Sequence, residues 1–253
     1  MTVLVTGATG TLGRPLVDQL RTAGLNVRAM SRHGAVRADL RTGEGLADAL
    51  HGAGVVIHAA TSPLTDLKAT DVDGTGRLLD AAAKAGGVRH LVYVSIVGID
   101  RAQAYLYYRA KLAAEALIRE GRMPWTILRA TQFHNLMPER FFPLMGRFGA
   151  LPLDPRWQIQ PVEVTEVAAR LVDIAAAPAS GLLPDFGGPE VMTWLEMARR
   201  WKRASRSRRL IMPMPVPGAL SRQFRDALIC PDHRDGKVPF DDWLQRRYRE
   251  QPS

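Results

Sequence analysis

Short apolar runs alternate with stretches in which apolar residues recur every three to four positions, and the alternation persists to about residue 175. The short runs Thr2–Thr6, Asn26–Met30, Val36–Ala38, Gly54–His58, His90–Ser95 and Trp125–Ala130 predict strands. Between them, amphipathic spacing predicts helices near 11–23, 44–50, 70–86 and 105–120, with another at 165–176. Thr165 suits the N-cap of the last of these, and Glu166 suits its first turn, where the helix dipole favours an anion. Strands that alternate with helices through short links form right-handed crossovers. The pattern therefore predicts an α/β fold: a Rossmann-type doubly wound parallel sheet of order 3-2-1-4-5-6.

Beyond about residue 180 the texture changes. Gly187-Gly188-Pro189-Glu190 precedes a helical pattern at 192–203, and further helices are expected near 219–228 and 239–249. Between them Pro213-Met214-Pro215-Val216-Pro217-Gly218 can be neither helix nor central strand, because proline lacks the amide donor. The expected division is a Rossmann domain over 1–180, which contributes part of a substrate pocket from about residue 131. A small C-terminal lobe over 181–253 then covers the carboxyl edge of the sheet.

Composition narrows the class. With 253 residues, 46% hydrophobic and 23% charged, the chain suits one soluble globular domain with a small extra lobe. No apolar run reaches the roughly 18–20 residues of a membrane span, so no membrane partner is expected. The chain enters a strand pattern at Thr2, which argues against a secretory signal and for a cytoplasmic protein. One cysteine, Cys230, excludes an internal disulfide, and the six histidines show no ligand spacing, so no metal is expected. The net charge of +9 is concentrated in Arg199–Arg209. That segment reads as a solvated helix end and loop, or as a surface for an acidic partner. Nucleic acid is disfavoured because aromatic interleaving and a helix-turn-helix pattern are both missing. The chain is expected as a monomer or homodimer.

The most specific signal is Val3-Leu4-Val5-Thr6-Gly7-Ala8-Thr9-Gly10-Thr11-Leu12-Gly13, with its glycines directly after a strand and at the mouth of a helix. Gly7 permits the sharp turn, Gly10 lets the backbone approach a pyrophosphate, and Gly13 lets helix pack closely on strand. Free amides and the positive helix end then receive the phosphates. A site for NAD places a carboxylate at the end of the second strand, but here the sequence runs Asn26-Val27-Arg28-Ala29-Met30-Ser31-Arg32. Arg32 can grip a 2′-phosphate through its planar fork, with Ser31 as a further donor, so NADP(H) is expected. The plainer reading leaves Arg28 and Arg32 as solvated charges. Asp39 and Leu40 after the third strand suit the adenine edge, or a surface turn. Ala59, Ala60 and Thr61 follow the fourth strand beside the ribose and pyrophosphate, whereas His58 reads as an ordinary strand-end histidine.

Ser95 ends the fifth strand, and Tyr107 and Lys111 lie four apart on one helix face. A lysine there can bind the nicotinamide ribose and lower the phenol's pKa, so that Tyr107 protonates a carbonyl polarised by Ser95. The alternatives are cofactor binding without reduction and plain aromatic packing. Tyr105 and Tyr108 compete with Tyr107 for the inward position.

The glycine triplet, the Ser95, Tyr107 and Lys111 set, and Ile127-Leu128-Arg129-Ala130-Thr131-Gln132-Phe133-His134 resemble the short-chain dehydrogenase/reductase superfamily, and within it the atypical NmrA-like group of NAD(P)-binding proteins. The resemblance implies phosphate contacts from Thr6, Gly7, Thr9, Gly10, Thr11 and Leu12. It also implies that Ala130, Thr131 and Phe133 lie near the nicotinamide, with Lys111 on its ribose. The implied function is NADPH-dependent hydride transfer to a small carbonyl or quinone. The alternatives are a non-catalytic NADP(H)-binding redox sensor, and an epimerase or dehydratase that borrows hydride transiently.

Overall fold

The computed structural model describes residues 1–62 and 65–249. In chain order it runs β1 (Thr2–Thr6), α1 (Gly13–Thr22), β2 (Asn26–Ser31), β3 (Val36–Arg37), α2 (Leu46–Leu50) and β4 (Val55–His58). A π-helical turn at Lys68–Val72 leads into α3 (Asp73–Ala85), then β5 (His90–Ile96), α4 (Leu106–Glu120) and β6 (Trp125–Ala130). A second π-turn at Met137–Phe141 precedes α5 (Phe142–Met145), β7 (Ala150–Leu153), β8 (Gln158–Ile159) and α6 (Val164–Ala176). The remainder is β9 (Gly181–Leu182), β10 (Met192–Thr193), α7 (Trp194–Ala204), β11 (Leu210–Pro213), α8 (Ala219–Gln223) and α9 (Phe240–Arg249).

Two compact units result. One contains Met1–Arg129 and Val164–Pro184, the other Ala130–Glu163 and Asp185–Ser253. The chain thus changes unit three times instead of once near residue 180. Residues 130–163 fold with the C-terminal part, and the helix that follows returns to the sheet because its apolar face is needed there.

The first unit is a seven-stranded sheet of order β3-β2-β1-β4-β5-β6-β9, which is the expected doubly wound order with one added edge strand. β1 lies in parallel between β2 and β4, with Val5 opposite both Ala29 and Ile57. Strand residues alternate between faces. Leu4, Leu91, Tyr93 and Ile127 pack with Leu50, Leu78, Ala82 and Ile118 of α2, α3 and α4. By that alternation Val3 and Val5 face the other way, towards the side of α1 and α6, whose Leu16, Leu20, Val167 and Leu171 are buried. Because α6 begins at Val164, Thr165 lies inside its first turn and is not its cap; the Thr165 carbonyl accepts from Gln19 of α1.

The second unit holds two small sheets, β7 paired in parallel with β11 and β8 antiparallel to β10. Thr193 caps α7 by accepting from the Glu196 amide at 3.1 Å. The proline-rich segment is tied down by the buried Asp154, whose carboxylate accepts from Arg156, the Val216 amide and the Ser221 hydroxyl. Those donors hold the Asp154 carboxyl well below the usual range, with the Arg156 bond the largest cause. Among the described residues no helix is long and apolar enough to cross a membrane.

Candidate functional site

The turn after β1 is shaped by what a side chain would strike. Gly7 has φ +67°, and a Cβ there would lie 2.7 Å from the Ala60 Cα. A Cβ on Gly13 would lie 2.1 Å from the Gly7 carbonyl oxygen, so glycine is what allows α1 to start against the strand end. Gly10 is different: a Cβ there meets only Gly7 O, at 3.1 Å, and the residue is exposed along with Thr9 and Thr11. The open side of the turn therefore runs through Thr9, Gly10 and Thr11, at the N-terminus of a ten-residue helix. Arg14, a position that spacing did not single out, donates to the Thr9 carbonyl at 2.9 Å and adds positive charge there.

Not every expected contact faces that opening. Leu12 is buried. Thr6 is fully buried, and its hydroxyl bonds to His58 Nδ1 at 2.7 Å while accepting from the Ala60 amide. The Thr6 hydroxyl, with its one proton engaged inside the sheet, does not face that opening. His58 Nε2 meets Thr75 Oγ1 at 3.0 Å, and Thr75 donates onward to the Asp71 carbonyl. Thr75 has one proton, so His58 Nε2 must be the donor to it and Nδ1 the acceptor from Thr6. Burial, aided by the Lys111 charge, pulls the imidazole down to about 3 and keeps it neutral. His58 is a structural member of this network.

At the end of β2, Ser31 Oγ is buried and has no hydrogen-bond partner among the described residues. An orphaned buried hydroxyl is costly unless something else fills the role. Arg32 beside it is exposed. Arg28 instead donates to the Ala49 and Asp48 carbonyls at the end of α2, where a cation suits the helix dipole. Asp39 accepts from both the amide and the guanidinium of Arg41 at 2.8 Å. Arg41, and then Arg32, hold the Asp39 carboxyl below its ordinary range. Leu40 packs in the core.

Beyond β4 and β5 stand the candidate catalytic groups. Ala59 and Ala60 are half-buried and Thr61 is exposed. The Tyr107 hydroxyl lies 2.9 Å from Thr61 Oγ1, which lies 2.5 Å from Asp71 Oδ1; the Ser62 amide donates to Asp71 Oδ2. A threonine has one proton. With that proton on the carboxylate, Tyr107 is the donor to Thr61, giving a relay Tyr107–Thr61–Asp71. Asp71 was invisible to spacing rules; the π-turn at Lys68–Val72 turns it inward, where it is buried. Of the competing tyrosines, Tyr108 is buried in packing, and Tyr105 stands edge-on to Tyr107 with ring centroids 6.0 Å apart.

Lys111 is buried, donates to the Val94 carbonyl at 2.7 Å and sits 4.1 Å from the Tyr93 ring centroid. Burial pulls its pKa down to about 8, against the pull of Asp71 and Glu115. The expectation that the lysine depresses the Tyr107 phenol is corrected: burial pushes that phenol up, and Asp71 adds to the rise. Ser95, one residue beyond the Val94 carbonyl that Lys111 holds, is buried with an Oγ that lacks a partner among the described residues. One helical turn along α4, Glu115 accepts from Arg129 through two bonds of 2.9 and 2.8 Å and from Arg119, closing the inner end of this polar layer.

The lysine makes stability depend on pH. Its folded pKa of about 8 lies below the usual 10.5, so between these values the unfolded chain binds more protons and stability rises with pH. The parent should gain on a Lys111→Met variant by roughly 3 kcal/mol across that window, from 1.36 kcal/mol per pKa unit. Denaturant unfolding of both proteins at a series of pH values measures it. A pH-independent difference would show that Lys111 titrates normally.

In the second unit, Ala130 and Thr131 are buried; the Thr131 amide donates to Phe186 O, and its hydroxyl accepts from the Gly188 amide. Phe133 bridges to Val162 and is half-buried. Cys230 is buried beside Gly187 and donates its amide to Gln160.

Three comparisons bear on this geometry. The model of the NAD(P)H-binding family matches residues 7–178. A photosystem II assembly factor, Ycf39 of Cyanophora paradoxa, is 31% identical over 191 residues, 69% of this chain and 57% of that protein. A ceramide reductase of Caulobacter vibrioides is 28% identical over 241 residues, 87% of this chain and 75% of that protein. Across four of the curated relatives it matches, the chain spans between 49% and 64% of their length. Among solved structures, the Thermus thermophilus UDP-glucose 4-epimerase complex with NAD superposes with a TM-score of 0.77 at 20% identity, over 99% of both chains. The shared fold is that of the short-chain dehydrogenase/reductase proteins.

Proposed function

This chain belongs to the NAD(P)H-binding family, and we propose that it is an NADPH-dependent oxidoreductase acting on a small carbonyl or quinone. One observation carries the reading. Among the described residues three buried hydroxyls lack a hydrogen-bond partner, and two of them belong to Ser31 and Ser95, the residues assigned to the 2′-phosphate and to the substrate carbonyl; the third is Tyr93. Orphaned hydroxyls in a packed protein call for an external partner.

NADPH, when bound, supplies the hydride. The amides of the Gly7–Gly13 turn and the start of α1 would hold the diphosphate. Arg32 and Ser31 would bind the 2′-phosphate, with Thr61, Ala59 and Ala60 towards the ribose. Ser95 donates to the substrate oxygen and draws charge onto it as the carbonyl carbon is reduced. Tyr107 gives its hydroxyl proton to that oxygen, so that hydride on carbon and proton on oxygen together complete an alcohol. A phenol held above its ordinary pKa stays protonated over the working range, which suits a donor in the reducing direction. Thr61 then turns its one proton from Asp71 to the phenolate left behind. Lys111, drawn down to about 8, titrates near working pH and can turn from the Val94 carbonyl to the ribose hydroxyls.

A second reading is binding without turnover, as a sensor or assembly partner. It is favoured by the engagement of both the Tyr107 hydroxyl and the Lys111 ammonium with the protein itself, and one relative is an assembly factor. NADPH oxidation against a panel of carbonyls and quinones separates the two. Binding without consumption by any of them sinks the reductase.

The cofactor assignment has its own test. Arg32→Ala should weaken NADPH by ~10–100-fold and NADH by less than ~3-fold, since a bond to a charged group contributes about 1.5–3 kcal/mol. Fluorescence titration with both nucleotides measures it. Equal losses would remove the 2′-phosphate from Arg32.

A further inference from the structure

We infer that the β7–β11 face of the second unit docks, without crossing, onto an anionic lipid surface. The observation is an outward sheet face made wholly of apolar side chains. Leu151 and Leu153 of β7 are buried, so alternation turns Ala150 and Pro152 outward. Their register partners on β11 are Leu210 and Met212, which share that face and are both exposed. A solvated sheet face normally carries polar residues. Five of the eight large apolar side chains exposed among the described residues fall in two short segments, Leu144 and Phe148 before β7, and Leu210, Met212 and Met214 in or just after β11. The segments are joined: the Leu210 amide donates to Gly149 O, and Arg209 Nε donates to Gly146 O. Phe148 is 83% exposed, the signature of a ring that projects instead of lying in a groove.

The charge around this face selects the occupant. Residues 140–153 and 197–225 contain eleven arginines and lysines and no aspartate or glutamate. Arg200 is neutralised by Glu190, Glu196 and Asp241, but Arg147, Arg206 and Arg208 are exposed, and the Arg147 guanidinium lies 4.5 Å from the Phe148 ring centroid. Projecting Phe, Leu and Met ringed by arginine is the composition of a protein face that lies in the headgroup region, with apolar tips among acyl chains and guanidiniums on lipid phosphates. A second copy across a twofold would set arginine against arginine. Strand addition is opposed by Pro213, Pro215 and Pro217, which remove alternate amide donors from that edge.

Cosedimentation of the full chain with vesicles tests it. Phosphatidylcholine vesicles containing phosphatidylglycerol should bind the chain at least ~10-fold more tightly than phosphatidylcholine alone, less so as salt rises. Two variants separate the contributions: Phe148→Ser with Leu210→Ser and Met212→Ser, and Arg147→Ser with Arg206→Ser and Arg208→Ser. Each should cut binding ~10-fold or more with the unfolding midpoint kept, because all six side chains are exposed. Indifference of the parent to anionic vesicles overturns the inference. So does undiminished binding by the apolar variant, which would mean nonspecific charge attraction. Self-association of the parent that the apolar variant abolishes would assign the face to a second copy instead.

Discussion

Tyr107→Phe is expected to lower kcat for NADPH-dependent carbonyl reduction by ~10²–10⁴-fold while leaving the affinity for NADPH within ~2-fold, the range for removal of a positioned general acid. The substitution deletes one oxygen and keeps the ring. What it removes is the proton at the end of the Tyr107–Thr61–Asp71 series, where the two oxygen separations are 2.9 and 2.5 Å. The loss should fall on kcat and kcat/KM alike, because the proton moves only as the carbonyl is reduced. Single-turnover oxidation of bound NADPH reads the chemical step directly. Asp71→Asn is the contrast: the phenol remains, one of two bonds to residue 71 is frustrated by an amide donor, and the loss should be much smaller. Full activity in Tyr107→Phe would transfer the acid's role to Tyr105 or to solvent.

The relay also explains where sequence reasoning stopped. The Ser95, Tyr107 and Lys111 set could be put forward as candidates from pattern alone, because two of its members sit one helical turn apart and the third lies near the end of a strand. Asp71 is not, since its position depends on a π-turn that admits one extra residue into the helix, and no local residue pattern announces that turn. The phenol's rise was equally hidden. Proximity along α4 suggests that Lys111 tunes Tyr107, yet the lysine reaches back to Val94 and burial decides the sign. Electrostatics in a packed layer follows tertiary neighbours, not helical spacing.

The sheet could be read because each central strand is apolar enough to be covered on both faces, and because a glycine turn marks the first crossover. The two-residue β9 escaped notice: Gly181 and Leu182 carry no run long enough to show a period. In the second unit, the helical pattern at 192–203 was legible from its spacing and α7 forms over Trp194–Ala204, whereas β7 and β11 were not legible. Ala150-Leu151-Pro152-Leu153 and Leu210-Ile211-Met212-Pro213 are apolar on both faces, so they lack the alternation that identifies a half-exposed strand. The same property that concealed them from pattern reading makes their outer face unusual.

The sharpest separation of fold from cofactor should come from two alanines three residues apart. Gly13→Ala is expected to destabilise the protein by on the order of 3 kcal/mol or more, because its Cβ would stand 2.1 Å from Gly7 O and 2.7 Å from Ala8 Cα, all backbone with no side chain able to move aside. Gly10→Ala should cost under ~1 kcal/mol, since its Cβ meets only Gly7 O at 3.1 Å and otherwise points to solvent. Yet a methyl there occupies the space through which the backbone approaches a diphosphate, so NADPH affinity should fall by ~100-fold, close to 3 kcal/mol. Thermal unfolding without nucleotide and fluorescence titration with NADPH measure the two effects separately. Gly10→Ala that holds NADPH as tightly as the parent would place the diphosphate elsewhere, and an undiminished midpoint in Gly13→Ala would mean that α1 can back away from β1 at little cost. The opposed outcomes follow from one geometric fact: the turn presents a closed side to the sheet at Gly7 and Gly13 and an open side at Gly10, and only the open side is free to take a ligand.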